Sequence, residues 1–228
     1  MLKNVLVAVA VLAVPALIAH AEAKDDVQAA CKKLADAANY SWKTTVEGGF
    51  NSTTEGKTQK DGATTLSLTF GDNTREVVIQ GTKAALKTDD GWKAASELQD
   101  EQGPQRFLAR MATNFKAPAV QAQEIADKTK ELKKADDVYT ADLTEAGAKE
   151  LMSFRRGGNQ AGPQISNAKG TIKFWVKDGV LSKFEYNVQG SMTINNEDRD
   201  INRTTTTEIK DVGSTKVEVP ADAKAKLQ

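Results

Sequence analysis

From Thr64 to Phe70 the chain alternates strictly, with Leu66, Leu68 and Phe70 on one face and Thr65, Ser67 and Thr69 on the other. That period of two predicts a half-buried strand. Segments Ser41–Phe50, Thr74–Gln80 and Thr82–Thr88 are rich in strand formers, and Asp89-Asp90-Gly91 reads as a turn with Trp92 after it. The clearest pattern is a hairpin. Thr171–Lys177 and Val180–Thr193 flank Asp178-Gly179, and an Asp-Gly step between alternating arms is a strong hairpin signal. In the second arm Val180, Phe184, Tyr186, Val188 and Met192 share a face opposite Lys183, Glu185, Asn187 and Gln189. One apolar and one polar face is the mark of an antiparallel sheet covered on one side. Further strands are expected at Val138–Leu143, Asp200–Lys210 and Thr215–Val219, where Pro220 ends the run.

Helical spacing replaces alternation elsewhere. Residues 25–38 place Val27, Ala30, Cys31 and Leu34 on one stripe. Ser96–Phe115 is helical with a break at Gly103-Pro104, Ala119–Lys134 follows, and Thr144 serves as the N-cap of a helix running to Phe154. Residues 155–168 are a Gly/Pro/Asn-rich loop, and Ala221–Gln228 is a short helix or frayed end. The chain shows no internal repeat and no linker.

The N-terminus has its own pattern: Lys3, then an apolar run from Val5 to Ile18, then Ala19-His20-Ala21. A positive start, a short apolar stretch and a small-x-small site make a secretory signal. Cleavage is expected after Ala21, with Ala23 as the second choice. The run is shorter than the roughly 20 residues a membrane span needs, and Pro15 sits near its end. The expected organisation is a signal at 1–21 and one domain at 22–228, working in the periplasm or secreted, with no stable membrane span after cleavage. Cys31 is too far from the apolar run to be a lipidation site, and as the only Cys it forms no intramolecular disulfide.

Composition excludes several chemistries. The chain carries 31 basic and 31 acidic residues, and this balance argues against nucleic acid as a partner. Its one histidine, His20, lies in the signal, so the mature chain lacks Ser-His-Asp catalysis, Cys-His catalysis and His-ligated metals. No cofactor is expected. Ser166-Asn167-Ala168-Lys169 matches a Ser-x-x-Lys pattern, but in a loop before a strand and without the companion motifs. Arg155-Arg156-Gly157-Gly158 lacks the phosphate-loop spacing. Asn195–Asp200 lacks the glycine and distal glutamate of a calcium loop and reads as a polar turn. Asp89-Asp90 and Asp136-Asp137 are adjacent pairs that read as turns.

The aromatic residues carry more. Trp42, Phe70, Trp92, Phe174, Phe184 and Tyr186 fall mostly at buried-face positions, either as ordinary core or as the lining of a cavity under helices. Trp175 has the opposite parity to Phe174, and is either packed under a helix or exposed.

The order of signal, helix, consecutive strands, helical segment, the hairpin Phe174-Trp175-Val176-Lys177-Asp178-Gly179-Val180-Leu181-Ser182-Lys183 and an ending Val217-Glu218-Val219-Pro220 resembles the periplasmic lipoprotein-carrier superfamily, the LolA-like and LppX-like half-barrels. The resemblance covers most of the mature chain. It implies an α+β fold: a curved antiparallel sheet forming an unclosed β-barrel (half-barrel), with helices covering the concave face. It also implies a non-enzymatic carrier or sensor for an acyl chain or lipoprotein. The expected cavity lining is Trp42, Leu66, Leu68, Phe70, Trp92, Phe174, Phe184 and Tyr186. The alternative is an envelope scaffold with a filled core and a protein partner.

Overall fold

The computed structural model describes residues 14–49, 51–60, 62–101, 103–153, 163–194 and 197–228. Helix α1 (Val14–Ala35) leads into β1 (Asn39–Glu47), β2 (Ser52–Gln59), β3 (Ala63–Phe70), β4 (Asn73–Gln80), β5 (Lys83–Thr88) and β6 (Gly91–Ala94). Three helices follow, α2 (Ala95–Leu98), α3 (Pro104–Thr113) and α4 (Pro118–Ala126). Then come β7 (Lys133–Ala135), β8 (Val138–Asp142), α5 (Glu145–Met152), β9 (Gln164–Lys177), β10 (Val180–Ile194), β11 (Glu197–Lys210) and α6 (Ala221–Ala225).

All eleven strands form one antiparallel sheet, in the order β6-β5-β4-β3-β2-β1-β11-β10-β9-β8-β7. Each half is a meander running outward from a central seam, where β1 pairs with β11. The end strands β6 and β7 do not pair with each other, so the sheet is unclosed. Because those two strands stand at opposite ends, the α2–α4 segment between them has to cross the sheet. The expected fold class is what is seen: α+β, an unclosed antiparallel sheet covered by helices.

Cross-strand neighbours explain why one face is covered. Leu86, Val77, Leu66, Gly56, Trp42 and Ile209 stand in consecutive register across β5, β4, β3, β2, β1 and β11. Thr44, Thr207, Phe184, Phe174 and Tyr139 form a second row. Side chains in register share a face, and two apolar rows require cover. Val27, Ala30, Cys31 and Leu34 of α1, Leu108, Ala109 and Ala112 of α3, and Ala119, Ala122 and Ile125 of α4 supply it. A smaller cluster lies apart, with Ala63, Val78 and Ala85 meeting Ala223 and Leu227 of the C-terminal segment.

Polar ties fix α1. Asp26 accepts hydrogen bonds from the Tyr139 hydroxyl at 2.8 Å and from Lys134 Nζ at 2.9 Å. Those donors hold the Asp26 carboxyl below its usual range. A lowered carboxylate contributes stability above its unfolded titration range and loses it as pH falls. Asp26 is half exposed, so the contribution is small. The Asp26→Asn variant is therefore expected to be slightly less stable near neutrality and to show a shallower loss between about pH 5 and pH 3. Urea unfolding at both pH values checks this, and parallel curves for the two proteins would contradict it.

The described elements depart from the sequence reading in five places. Strand β2 forms where Ser52–Gln59 shows no apolar pattern. Helix α4 stops at Ala126, well before Lys134, because Lys130 N–H bonds Asp142 C=O and draws the chain toward the sheet. Strand β11 starts at Glu197, inside the segment read as a polar turn, and Thr193 and Ser191 donate to Asp198 and Asp200 across it. Ser166 and Lys169 lie within β9, not in a loop before it. Thr215–Val219 joins no ladder, and Val217 and Val219 instead pack on the smaller cluster. Arg155–Gly158, read as a loop, lies outside the described residues, as do residues 1–13 of the segment read as an export signal. Among the described residues no helix is long and apolar enough to cross a membrane.

Candidate binding site between the helices and the sheet

Seven of the eight expected lining residues meet on the helix-covered face. Trp42, Leu66, Leu68, Phe174 and Phe184 are buried in the main core, with Phe70 and Tyr186 packed against it. Trp92 is elsewhere: it pairs with Lys87, whose neighbour Leu86 faces the helices, so Trp92 points to the other face and joins the smaller cluster. Trp175 also faces away from the helices, and Lys183 Nζ sits 4.5 Å above its ring.

Trp42 is the hinge between the layers. Its ring lies over Gly56 of the neighbouring strand, where a Cβ atom would come within 2.1 Å of it. On its other side it stacks on Phe115, between α3 and α4, at 5.9 Å and 18°. Tyr40 packs beside it at 5.7 Å. Burial pushes the Tyr40 hydroxyl up to about 12, partly offset by a hydrogen bond with the Ala119 backbone. The sheet aromatics thus touch the helix connection directly.

Much of the layer is closely packed. A void as wide as a water molecule would leave accessible area on the side chains lining it. Phe174, Phe184, Ile172, Leu181, Val188, Leu34 and Met152 have none. Around these residues the space is taken by the protein's own side chains, at the close packing usual for interiors, whereas Trp42, Leu66 and Leu68 keep a little accessible area and Phe70 and Tyr186 are half-buried. A cleft of about 310 Å³ lies on the opposite side, lined by Gln59, Ala63, Gln80, Val217, Val219 and Lys224. A second, of about 20 Å³, lies at the rim beneath α3, lined by Arg75, Leu86, Lys87, Thr88, Asp89, Leu98, Gln105 and Leu108.

Cys31 lies in the same apolar layer, and burial pushes its thiol up to about 12. Thiolate is the reactive form. The native protein is expected to resist alkylation at about pH 8 and to react fully in denaturant. Fast native labelling, read by mass spectrometry, would mean that α1 leaves the sheet readily.

Ser166 and Lys169 are both exposed in β9, where the register shifts beside Asn167 (φ 54°). Asp89-Asp90 and Asp136-Asp137 sit in strand turns, as their sequence reads. Among the described residues no three His, Cys, Asp or Glu side chains gather to hold a metal ion.

The sequence reading missed two contributors. Leu181 is fully buried although its parity is that of the polar face, because a bulge between Leu181 and Lys183 switches the pleat. Gly56 left no apolar signal at all, and its role appears only once Trp42 is seen over it.

No family model matches the sequence, and no curated protein matches it. Ten solved chains match its fold, among them two that this chain covers almost entirely. One is the Mycobacterium tuberculosis lipoprotein LppX, at 11% identity and a TM-score of 0.48, with 88% of this chain and 99% of that one covered. The other is LprF from Mycobacterium bovis, at 10% identity and a TM-score of 0.46, with coverages of 89% and 98%. In fold, then, this chain is similar to the mycobacterial lipoprotein LppX and to LprF.

Proposed function

We propose that this protein is a non-enzymatic binding protein acting outside the cytoplasm, and that its guest is an apolar chain taken between helices α2–α4 and the sheet. One observation supports the reading above others: the cover is made to slide rather than to lock. Ala95, Ala109, Ala112, Ala119, Ala122 and Ala126 are most of its buried residues, beside Leu98, Leu108, Pro118 and Ile125. Small side chains leave shallow ridges, so these helices rest on the sheet aromatics instead of interdigitating deeply. Helices α2, α3 and α4 all begin without a side-chain cap, whereas α5 is capped by Thr144. The single Cys leaves the cover without an intramolecular disulfide. The closely packed layer is then the closed form, and a guest displaces Phe115 and the helices from Trp42, Leu66, Leu68, Phe70, Phe174, Phe184 and Tyr186.

Solvent extraction of protein purified from its native host, with mass spectrometry of the extract, tests this. Bound lipid, or saturable uptake of a fluorescent fatty acid, is the expected result. An empty extract together with no uptake overturns it.

A second reading has a specific observation in its favour. The close packing of the layer equally suits an envelope interaction module that works through its surface and takes a protein partner. Phe107 of α3, 54% exposed, and Val120 of α4, 40% exposed, are large apolar residues on the outside of the cover. Cross-linking in envelope extracts that captures one stoichiometric protein, with no lipid uptake, would favour it over the carrier.

A further inference from the structure

The cleft of about 310 Å³ on the outer face of the sheet owes its shape to one short side chain. Ala63 stands directly opposite Gln80 on β4, and the Thr58–Thr64 pairing puts Gln59 of β2 across from it on the other side. All three line the cleft. Side chains in neighbouring register positions are about 5 Å apart, so two carboxamides flank a notch floored by a single methyl group. A wall stands beside the notch. Thr215–Val219 joins no ladder, yet Val217 and Val219 are half-buried on the smaller cluster while Lys216 and Glu218 are exposed. That period of two is the pattern of a strand, here with an open edge. Val217, Val219 and Lys224 of α6 complete the lining. Lys226, just beyond α6, pairs with Glu97 at 3.4 Å, whereas among the described residues no acid pairs with Lys224. At about 30 Å³ per water-sized group, the cleft takes on the order of ten non-hydrogen atoms.

We propose that this cleft holds the carboxyl-terminal end of a peptide chain with small aliphatic side chains. The peptide lies as a strand along the open edge of Thr215–Val219, as extended peptides add to a free strand. Its last side chain sits in the notch over Ala63, against Val217 and Val219. The carboxamides of Gln59 and Gln80 each carry a donor and an acceptor, the match for a peptide bond. The terminal carboxylate pairs with the Lys224 ammonium. Two extended residues span about 7 Å, which suits a cleft of this volume. The site is on the opposite side of the sheet from the helix-covered layer, so it neither needs nor supports the carrier reading.

N-acetyl-Ala-Ala and its C-terminal amide differ in one charge and test the pairing. In isotope-labelled protein, the acid is expected to shift the NMR signals of the Gln59 and Gln80 side-chain amides and the Val217 and Val219 backbone amides, saturating at millimolar peptide. The amide should bind about tenfold more weakly. Lys224→Gln should remove that difference and keep the wild-type thermal midpoint, because Lys224 is exposed. No saturable shift at these four residues would overturn the proposal. So would equal binding of acid and amide by the wild type, or a Lys224→Gln variant that still prefers the acid. None of these results depends on lipid uptake, and the carrier reading stands or falls on its own experiment.

Discussion

Phe184→Ala is expected to lower the free energy of unfolding by about 3–5 kcal/mol, which is a large part of the stability of a domain this size. Phe184 is fully buried, directly opposite Phe174 on β9 and Thr207 on β11. Truncation loses the transfer free energy of the ring and leaves a cavity that these neighbours cannot close, since each is held by its own ladder. Urea unfolding, followed by tryptophan fluorescence, reads the loss. The same variant has a second outcome. The new void is walled by apolar groups, and dry apolar voids take up small apolar molecules. Phe184→Ala should therefore bind benzene-sized probes that the wild type excludes. A loss under about 1 kcal/mol would mean that the layer between helices and sheet is not closed in solution as it is in this structure.

Substituting Gly56 should be nearly as damaging, for the opposite reason. Gly56 is in the middle of β2, and a Cβ there would come within 2.1 Å of Trp42 Cζ2 and 2.4 Å of Cε2. A ring stacked on Phe115 and flanked by Tyr40 has little freedom to retreat. Forcing extra methyl groups into such packing costs about 1–3 kcal/mol, and Gly56→Val puts them against the least yielding ring in the core. The collision is with one side chain, so the partner test is clean. Trp42→Ala alone should also destabilise, but Gly56→Val with Trp42→Ala should cost clearly less than the two changes summed. Strict additivity would show that the glycine serves something other than the tryptophan.

The parts of this fold that could be read from the sequence are those where one residue type decides the local geometry. Asp178-Gly179 marked the long hairpin, and both residues do take left-handed backbone, with φ of 53° and 71°. Gly103-Pro104 marked the break before α3, where Gly103 has φ 92° and Pro104 occupies the first turn. Leu66, Leu68 and Phe70 alternated because that part of β3 packs one face on the main core and leaves Thr65, Ser67 and Thr69 half-exposed. What escaped depended on distant partners. Strand β2 has almost nothing to bury, because Trp42 from β1 covers its central glycine. Leu181 and Trp92 defeated parity, one through a bulge and the other because a four-residue strand has no alternation to read. The candidate site was legible as a set of large residues on one face. That much of the layer is closely packed was not, since whether a layer is hollow depends on how closely Ala-faced helices settle on it.

The seam between β1 and β11 carries a consequence for how the molecule comes into being. Residues 41–47 pair with residues 204–210, so the middle of the sheet is stitched by the two ends of the strand order along the chain. Neither meander gains that ladder until almost the whole polypeptide is available. Contacts this remote in sequence slow folding, because a long loop has to close before anything is gained. A chain still emerging from the ribosome consequently has two separate meanders to form at most, and the complete sheet closes only after the last strand has been synthesised.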